Sequence, residues 1–257
     1  VVAPDHGSLA CGYEGLGRLP DPEVILEEIT AALAFDDLSG ETVLLTAGPT
    51  REYLDPVRFL SNRSSGKMGF ALARAARRRG ARVVLITGPT SLEDPRGVEI
   101  RRVETAEEMA RETAAAVGEA TVVIAAAAVA DFRPVRRASE KDAKSVGPSV
   151  LDLESTPDVV AMLPRRPGLL VVGFAAETRD LVARARAKLV RKSLDLIVAN
   201  DVTAPGAGFD VDTNRVTLID ASEVEELPLL DKDAVAEAVL DRIVAMPANN
   251  TVLIFRR

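Results

Sequence analysis

From about Thr42 onward, short apolar runs alternate with amphipathic stretches. TVLLTAG (42–48), ARVVLITGP (81–89), TVVIAAAA (121–128), LLVVGFA (169–175) and DLIVAND (195–201) are near-continuous apolar segments rich in branched residues. Their length and continuity predict strands buried on both faces. Residues 65–79, 105–117 and 178–193 read as the helices between them. Strands alternating with helices predict an α/β fold, a Rossmann-like parallel sheet with helices on both faces. In such sheets ligands sit beyond the carboxyl ends of the strands. The sequence places its unusual residues there, in AGPTREYLDPVRFLSNRSSG, AAVADF and GFAAET.

Four segments depart from this rhythm. Residues 1–20 are rich in glycine and proline and show no apolar period. PDPEVILEEITAALAF predicts a helix, with Pro22 near its start and Val24, Ile25, Ile29 and Leu33 at helical spacing. Residues 133–150 form a polar, basic stretch whose length predicts a functional flap. FDVDTNRVTLID (209–220) reads as a turn and an alternating strand, a C-terminal antiparallel addition to the sheet. The expected division is therefore 1–20, a linking helix over 21–40, and a main domain over 41–247.

Composition narrows the chemistry. The net charge of -7 argues against a nucleic-acid surface, which needs a basic face. No apolar run approaches the ~20 residues that cross a bilayer, and the first residues do not resemble a signal peptide. One cysteine, Cys11, and one histidine, His6, exclude an intramolecular disulfide framework and argue against a Cys/His zinc site. No metal site is expected, and a reducing, cytoplasmic setting is. The chain starts without methionine, so a piece of a longer protein is expected.

Individual motifs leave alternatives open. SNRSSGKMG (61–69) opens a helix, with Ser64 or Ser65 as the expected cap and Gly66 and Gly69 allowing close backbone approach. It reads either as a phosphate site at a helix N-terminus or as a capped helix packed on a sheet. It lacks the first glycine of a Walker loop, and Lys67 is followed by Met68. In AAAAVADF, Ala127 and Ala128 leave room for a ligand and Asp131 is placed to hold a ribose, a base or magnesium; tight packing with an exposed aspartate is the alternative. Lys141 lies in the basic flap, either closing over a triphosphate or simply solvated. Lys188 and Lys192 share a helix face, as a phosphate grip or a solvated surface. STPDVV reads as a helix start, with Thr156 as cap and Pro157 first.

Together the segments say more. TAGPTREYLDPVRFLSNRSSGKMGFALA, AAAAVADFRP, the following EK, STPDVVA, VGFAAET, KLVRKSLDLIVANDV and GFDVDTNRV occur in the order of one family. The chain resembles the ligase domain of the bacterial bifunctional phosphopantothenoylcysteine decarboxylase/phosphopantothenate–cysteine ligase over roughly residues 40–245. GSLACGYEGLGRL is similar to the substrate clamp of its flavin-dependent decarboxylase domain, with Cys11 at the position of the proton donor. The rest of that FMN domain is absent from the sequence, so no decarboxylation is expected of this chain. NNTVLIFRR matches no pattern of the family.

The resemblance implies a ligase that activates 4′-phosphopantothenate with CTP and Mg2+ and joins it to cysteine. It implies that Asn62 holds the acyl-nucleotide, that Lys141 serves nucleotidyl transfer, and that Arg58, Asn62 and Ala127 lie near phosphopantothenate. Ser64, Gly66, Ala127, Ala128, Asp131, Pro157, Asp158, Val159, Val160, Phe174, Lys188 and Lys192 form the implied nucleotide set. It also implies a homodimer whose active sites are completed across the interface. Two rival readings are a nicotinamide-dependent reductase and a non-catalytic nucleotide-binding homologue. The first lacks its glycine fingerprint and a Tyr-x-x-x-Lys pair; the second sits poorly with the presence of both Asn62 and Lys141.

Overall fold

The computed structural model describes residues 2–33, 35–141, 150–177, 179–202, 206–208 and 210–246. In chain order it comprises β1 (Asp5–Ser8), β2 (Glu14–Arg18), α1 (Pro22–Leu33), β3 (Thr42–Ala47), β4 (Arg51–Tyr53), β5 (Phe59–Ser61) and α2 (Lys67–Arg78). There follow β6 (Arg82–Thr87), β7 (Glu99–Arg102), α3 (Ala106–Ala116), β8 (Val122–Ala125), β9 (Phe132–Pro134) and β10 (Leu153–Ser155). The last part holds β11 (Leu170–Glu177), α4 (Leu181–Arg191), β12 (Leu196–Asp201), β13 (Thr213–Asn214), β14 (Val216–Ile219), β15 (Val224–Glu226), β16 (Leu230–Asp231) and α5 (Lys232–Ala245).

One sheet carries the domain, in the order β7-β6-β3-β8-β11-β12-β14-β15. The first six of these are parallel, and β14 and β15 join antiparallel. The chain moves outward from β3 through β6 to β7, then crosses back to β8 and continues through β11 to β12. The gap between β3 and β8 is thus the topological switch point, where such sheets open a crevice for ligands.

Alternate strand residues feed two cores, as a period of two requires. Val43, Leu45, Leu85, Ile124 and Val172 pack with Phe70 and Leu72 of α2 and Val235 and Val239 of α5. Leu44, Ile86, Val123, Val171 and Ile197 pack with Met109 of α3 and with Ala185 and Leu189 of α4. Helix α2 lies especially close to β3: a Cβ added at Gly69 would stand 2.5 Å from Ala47 Cβ. Its outer side is tied by ion pairs, Arg74–Asp233 and Arg78–Glu237 to α5 and Arg77–Glu28 to α1. Just past its end, the buried Arg79 joins Asp37 and Asp241.

Several sequence expectations are corrected. β7 is an additional strand: EIRR is too charged to read as one, and it serves as the exposed parallel edge. β14 is buried at every position rather than alternating, because α5 covers one face and the second core the other. Residues 1–20, without apolar period, still form the antiparallel β1–β2 hairpin. In α1 the apolar spacing does not mark a core face, since Ile29 and Leu33 are exposed. The basic stretch is flanked by a ribbon, β9 paired with β10, while its residues 142–149 and the terminal NNTVLIFRR lie outside the described residues. Among the described residues, no helix is long and apolar enough to cross a membrane.

Candidate active site at the switch point

A cleft of about 740 Å³ opens over the carboxyl ends of β3, β8, β11 and β12. Its floor is the segment Ala125–Ala130, which continues past β8 as a strap bonded to the chain leaving β3. Ala126 N donates to Thr46 O (3.1 Å), Ala128 N to Gly48 O (2.9 Å), and Ala130 N to the buried Thr50 hydroxyl (2.9 Å). The Thr156 hydroxyl donates in turn to Ala130 O (2.6 Å). With nothing larger than a methyl group on Ala125–Ala128, main chain is open to a ligand on this floor.

One wall is the start of α2. Gly66 occupies the N-cap in a left-handed conformation (φ 79°), a backbone state that side chains disfavour. This corrects the expectation of Ser64 or Ser65 as cap: no side-chain cap bond forms, and Ser64 Oγ instead accepts from Gly66 N at 3.2 Å. The first turn of α2 therefore presents amides and the positive dipole end to the cleft, an arrangement that favours anions. Asn62 bridges this loop to the strap, its Nδ2 donating to Val129 O at 2.8 Å.

The facing wall is the segment Pro157–Val160 with Phe174, Lys188 and Lys192. STPDVV is a turn and not the predicted helix start; Met162 N reaches Asp158 O, and Pro164 follows at once. Freed from capping, Thr156 anchors the strap and Asp158 holds Lys192 (3.0 Å). Burial opposes ionisation of Asp158, but hydrogen bonds from Ala161 N and Lys192 outweigh it and lower its pKa. Lys188 Nζ donates to Phe174 O at 2.8 Å. Burial, reinforced by the charge of Lys192, pushes the Lys188 pKa down against the pull of Glu177. The sequence-predicted Asn62, Ser64, Gly66, Ala127, Ala128, Asp131, Phe174, Lys188, Lys192 and Pro157–Val160 all line the one cleft.

Three predicted residues lie elsewhere. Arg58, on the loop between β4 and β5, pairs with Asp55 at 2.6 Å and does not line the cleft. Lys141 is exposed at the last described position before 142 and does not line it either. Cys11 is exposed in the turn of the β1–β2 hairpin. Conversely, Asn200, Asn214 and Lys232 line the cleft without having been singled out. Nothing in their local sequence distinguishes them, because their meeting depends on how β12, β13 and α5 come together. Among the described residues, no group of three or more His, Cys, Asp or Glu side chains could hold a metal.

Comparison with known proteins gives a consistent picture. The family described as "DNA/pantothenate metabolism flavoprotein C-terminal domain" matches residues 38–246. The coenzyme A biosynthesis bifunctional protein CoaBC of Bacillus subtilis is 47% identical over 252 residues, covering 95% of this chain and 62% of the relative. Its Escherichia coli counterpart is 45% identical, with the same two coverages. The chain thus spans less than two thirds of the length of these relatives. The solved C-terminal domain of a CoaBC superposes with a TM-score of 0.69 at 41% identity, over 81% of this chain and 96% of that domain.

Proposed function

Because the chain belongs to the DNA/pantothenate metabolism flavoprotein C-terminal domain family, we propose that it is a phosphopantothenate–cysteine ligase of coenzyme A synthesis that uses CTP. The observation that carries this reading is the cleft itself. It joins the α2 N-terminus, which lacks a side-chain cap, to the Lys188–Lys192 pair across a floor of alanines. That combination suits a nucleotide whose phosphates lie at a helix end and whose base meets main chain.

In the first step a carboxylate oxygen of 4′-phosphopantothenate attacks the α-phosphorus of CTP. The bond to the β-phosphate oxygen breaks and pyrophosphate leaves, giving an acyl-cytidylate. The amine of cysteine then attacks the acyl carbon, CMP departs with the bonding electrons, and the ammonium proton is lost. The α2 amides face the charge that builds on the transferring phosphoryl group. Asn62, fixed by its bond to Val129 O, stands where the acyl-nucleotide passes from the α2 wall to the strap. Ser64, Gly66, Ala127, Ala128, Asp131, Phe174 and Pro157–Val160 surround the nucleotide. Mg2+ enters with CTP as part of the substrate.

Arg58 and Lys141, both outside the cleft of their own chain, act in this reading across a homodimer or by flap closure. Exposed Val57, Phe59, Phe132, Val135 and Leu153 surround that region and supply the apolar surface a dimer needs. The β1–β2 hairpin with Cys11 serves a decarboxylase domain that holds FMN in a longer protein, and no decarboxylation is assigned to the present chain. Nucleic acid and membrane are not partners, and the setting is cytoplasmic.

The test is incubation with phosphopantothenate, cysteine, Mg2+ and each nucleoside triphosphate, with pyrophosphate release followed. CTP should be the preferred nucleotide, and Lys141→Gln should block release. Turnover without any of the four triphosphates, or none with all of them, would defeat the proposal.

A further inference from the structure

The wall that faces α2 across the cleft is built from two segments far apart in sequence. They are the turn Pro157–Val160 and the end of α4, which carries Lys188 and Lys192. Neither belongs to the central sheet, so strand pairing does not fix their spacing. Val159 and Leu163 are buried in the second core, which also takes in Leu189 of α4. Apolar burial has no direction, so it holds the turn down without setting its register against the helix. Directional bonds must do that.

Helix α4 ends in a Schellman arrangement. Ser193 takes the left-handed conformation (φ 48°), with Ser193 N donating to Val190 O (3.1 Å) and Leu194 N to Leu189 O (2.9 Å). The carbonyls of Lys192 and Ser193 are left without helical partners. Arg165 supplies them: its Nη2 donates to Lys192 O at 2.6 Å and its Nε to Ser193 O at 3.1 Å. The same guanidinium reaches the other segment, with Nη2 donating to Val160 O at 3.3 Å and Nη1 to Leu163 O at 3.0 Å. Each of these bonds goes to main chain, and the flat five-donor fork of a guanidinium can span two segments at once. Arg165 itself is exposed and does not line the cleft.

The next residue offers an internal comparison. Arg166 Nη2 donates to Val117 O (3.2 Å), Gly118 O (3.1 Å) and Ala120 O (2.7 Å), just past the end of α3. None of those three residues lines the cleft. Two adjacent arginines thus bind carbonyls at the ends of two helices, and one of the two helices carries cleft residues.

We propose that Arg165 is a positioning residue that holds the Pro157–Val160 turn and the end of α4 in register, keeping this wall of the cleft in shape for a nucleotide. The identity of the ligand rests on the ligase reading. The other directional tie between the segments is the Asp158–Lys192 ion pair. In the ligase reading Lys192 is shared between Asp158 and the nucleotide, which weakens that pair as a tie. Arg165 engages carbonyls alone, so its hold persists in the loaded cleft. It also fixes the main chain from which the Lys192 ammonium reaches.

Arg165→Gln removes the fork, Arg165→Lys keeps the charge at a single point, and Arg166→Gln is the comparison. Steady-state kinetics with CTP, 4′-phosphopantothenate and cysteine, thermal melts, and hydrogen exchange of the ligand-free chain are recorded for each. The KM for CTP should rise about five- to tenfold in both Arg165 variants, because a wall that is not pre-organised binds less tightly. Their kcat and their KM for phosphopantothenate should stay within about twofold, whereas loss of folded enzyme would lower kcat. Arg166→Gln should leave the KM for CTP within about twofold, whatever it costs in Tm. Exchange in Arg165→Gln should quicken at the amides of Ala161–Leu163 and of Ser193 and Leu194 together. An unchanged KM for CTP in Arg165→Gln, an equal rise in Arg166→Gln, or full retention in Arg165→Lys overturns the proposal. If the unaltered chain does not turn over with CTP, the ligase reading falls. Exchange then still decides the tie: both segments loosening in Arg165→Gln upholds it, and one or neither loosening overturns it.

Discussion

Replacing Gly69 with alanine tests the packing that aims α2 at the cleft. The added Cβ would lie 2.5 Å from Ala47 Cβ and 3.3 Å from Ala47 Cα, both fixed in the fully buried strand β3. Carbon atoms rest at about 3.5–4.0 Å, so the helix must withdraw by about 1 Å. Overpacking of this kind costs about 1–3 kcal/mol. Against it stands a gain of about 0.5–1 kcal/mol from exchanging glycine for alanine within a helix. The difference lies between about 0 and 2.5 kcal/mol and centres on a loss of about 1 kcal/mol, a fall of about 2–4 °C in Tm for a domain of this size. Urea denaturation of wild type, G69A, A47G and the double variant would measure it. Removing the Ala47 methyl should relieve the clash, so the double variant should lose less than the two single losses combined. Because Gly66–Gly69 line the cleft, the affinity for CTP should fall in G69A and recover in the double variant. A G69A protein as stable as wild type, with additive behaviour in the cycle, would refute the claim that this contact sets the helix position.

Other perturbations probe the remaining joints. Arg79→Ala removes the guanidinium that holds Asp37 and Asp241 at 2.5 and 2.7 Å; both carboxylates can then hydrate, so the loss in denaturant melts should be about 1.5–3 kcal/mol; unchanged stability would show the cluster to be dispensable. Burial works against ionisation of Asp220, but bonds from Arg242, Ser222 and Glu223 N hold its pKa down at about 2, below the ordinary 3.8. Its ionised form therefore stabilises the fold fully above about pH 4, and the contribution of about 2 kcal/mol is lost as pH falls through about 2. The stability gap between wild type and Asp220→Asn should shrink over that window, and a gap independent of pH would contradict it. Removing residues 1–20 should leave ligase turnover within a small factor, since the hairpin contributes nothing to the cleft; loss of ligation by a folded chain would place the hairpin in the site.

The parts legible in the sequence are those set by local pattern. The strands at 42–47, 82–87 and 170–177 announce themselves because both faces are buried over most of their length, which demands near-continuous apolar residues. Glu99–Arg102 has no such demand, being an edge with one neighbour, so its charges conceal it. The same limit applies in the site. Small residues at 125–128 and the glycines of 66–69 betray a close approach of backbone, and they do meet in one cleft. Thr156 misleads because a threonine before proline looks like a helix cap, whereas its hydroxyl is taken by Ala130 O from a distant segment. Lys232 and Asn200 have no local signature at all; only the joining of β12, β13 and α5 makes them neighbours.

The pairing of α2 with α5 bears on how the chain is made. Helix α2 ends at Arg78, yet the helix that covers it begins at Lys232 and ends at Ala245. At about 5–20 residues per second, synthesis leaves the outer side of α2 without its partner for about ten to thirty seconds. During that interval Arg74 and Arg78 lack Asp233 and Glu237, and the apolar side chains of that core lack Val235, Val239 and Ile243. The helix whose N-terminus forms the anion wall is therefore secured by a segment made about 150 residues after it. A nascent chain that has passed Glu226 but not reached Ala245 holds every strand of the central sheet but not the complete brace that fixes its ligand site.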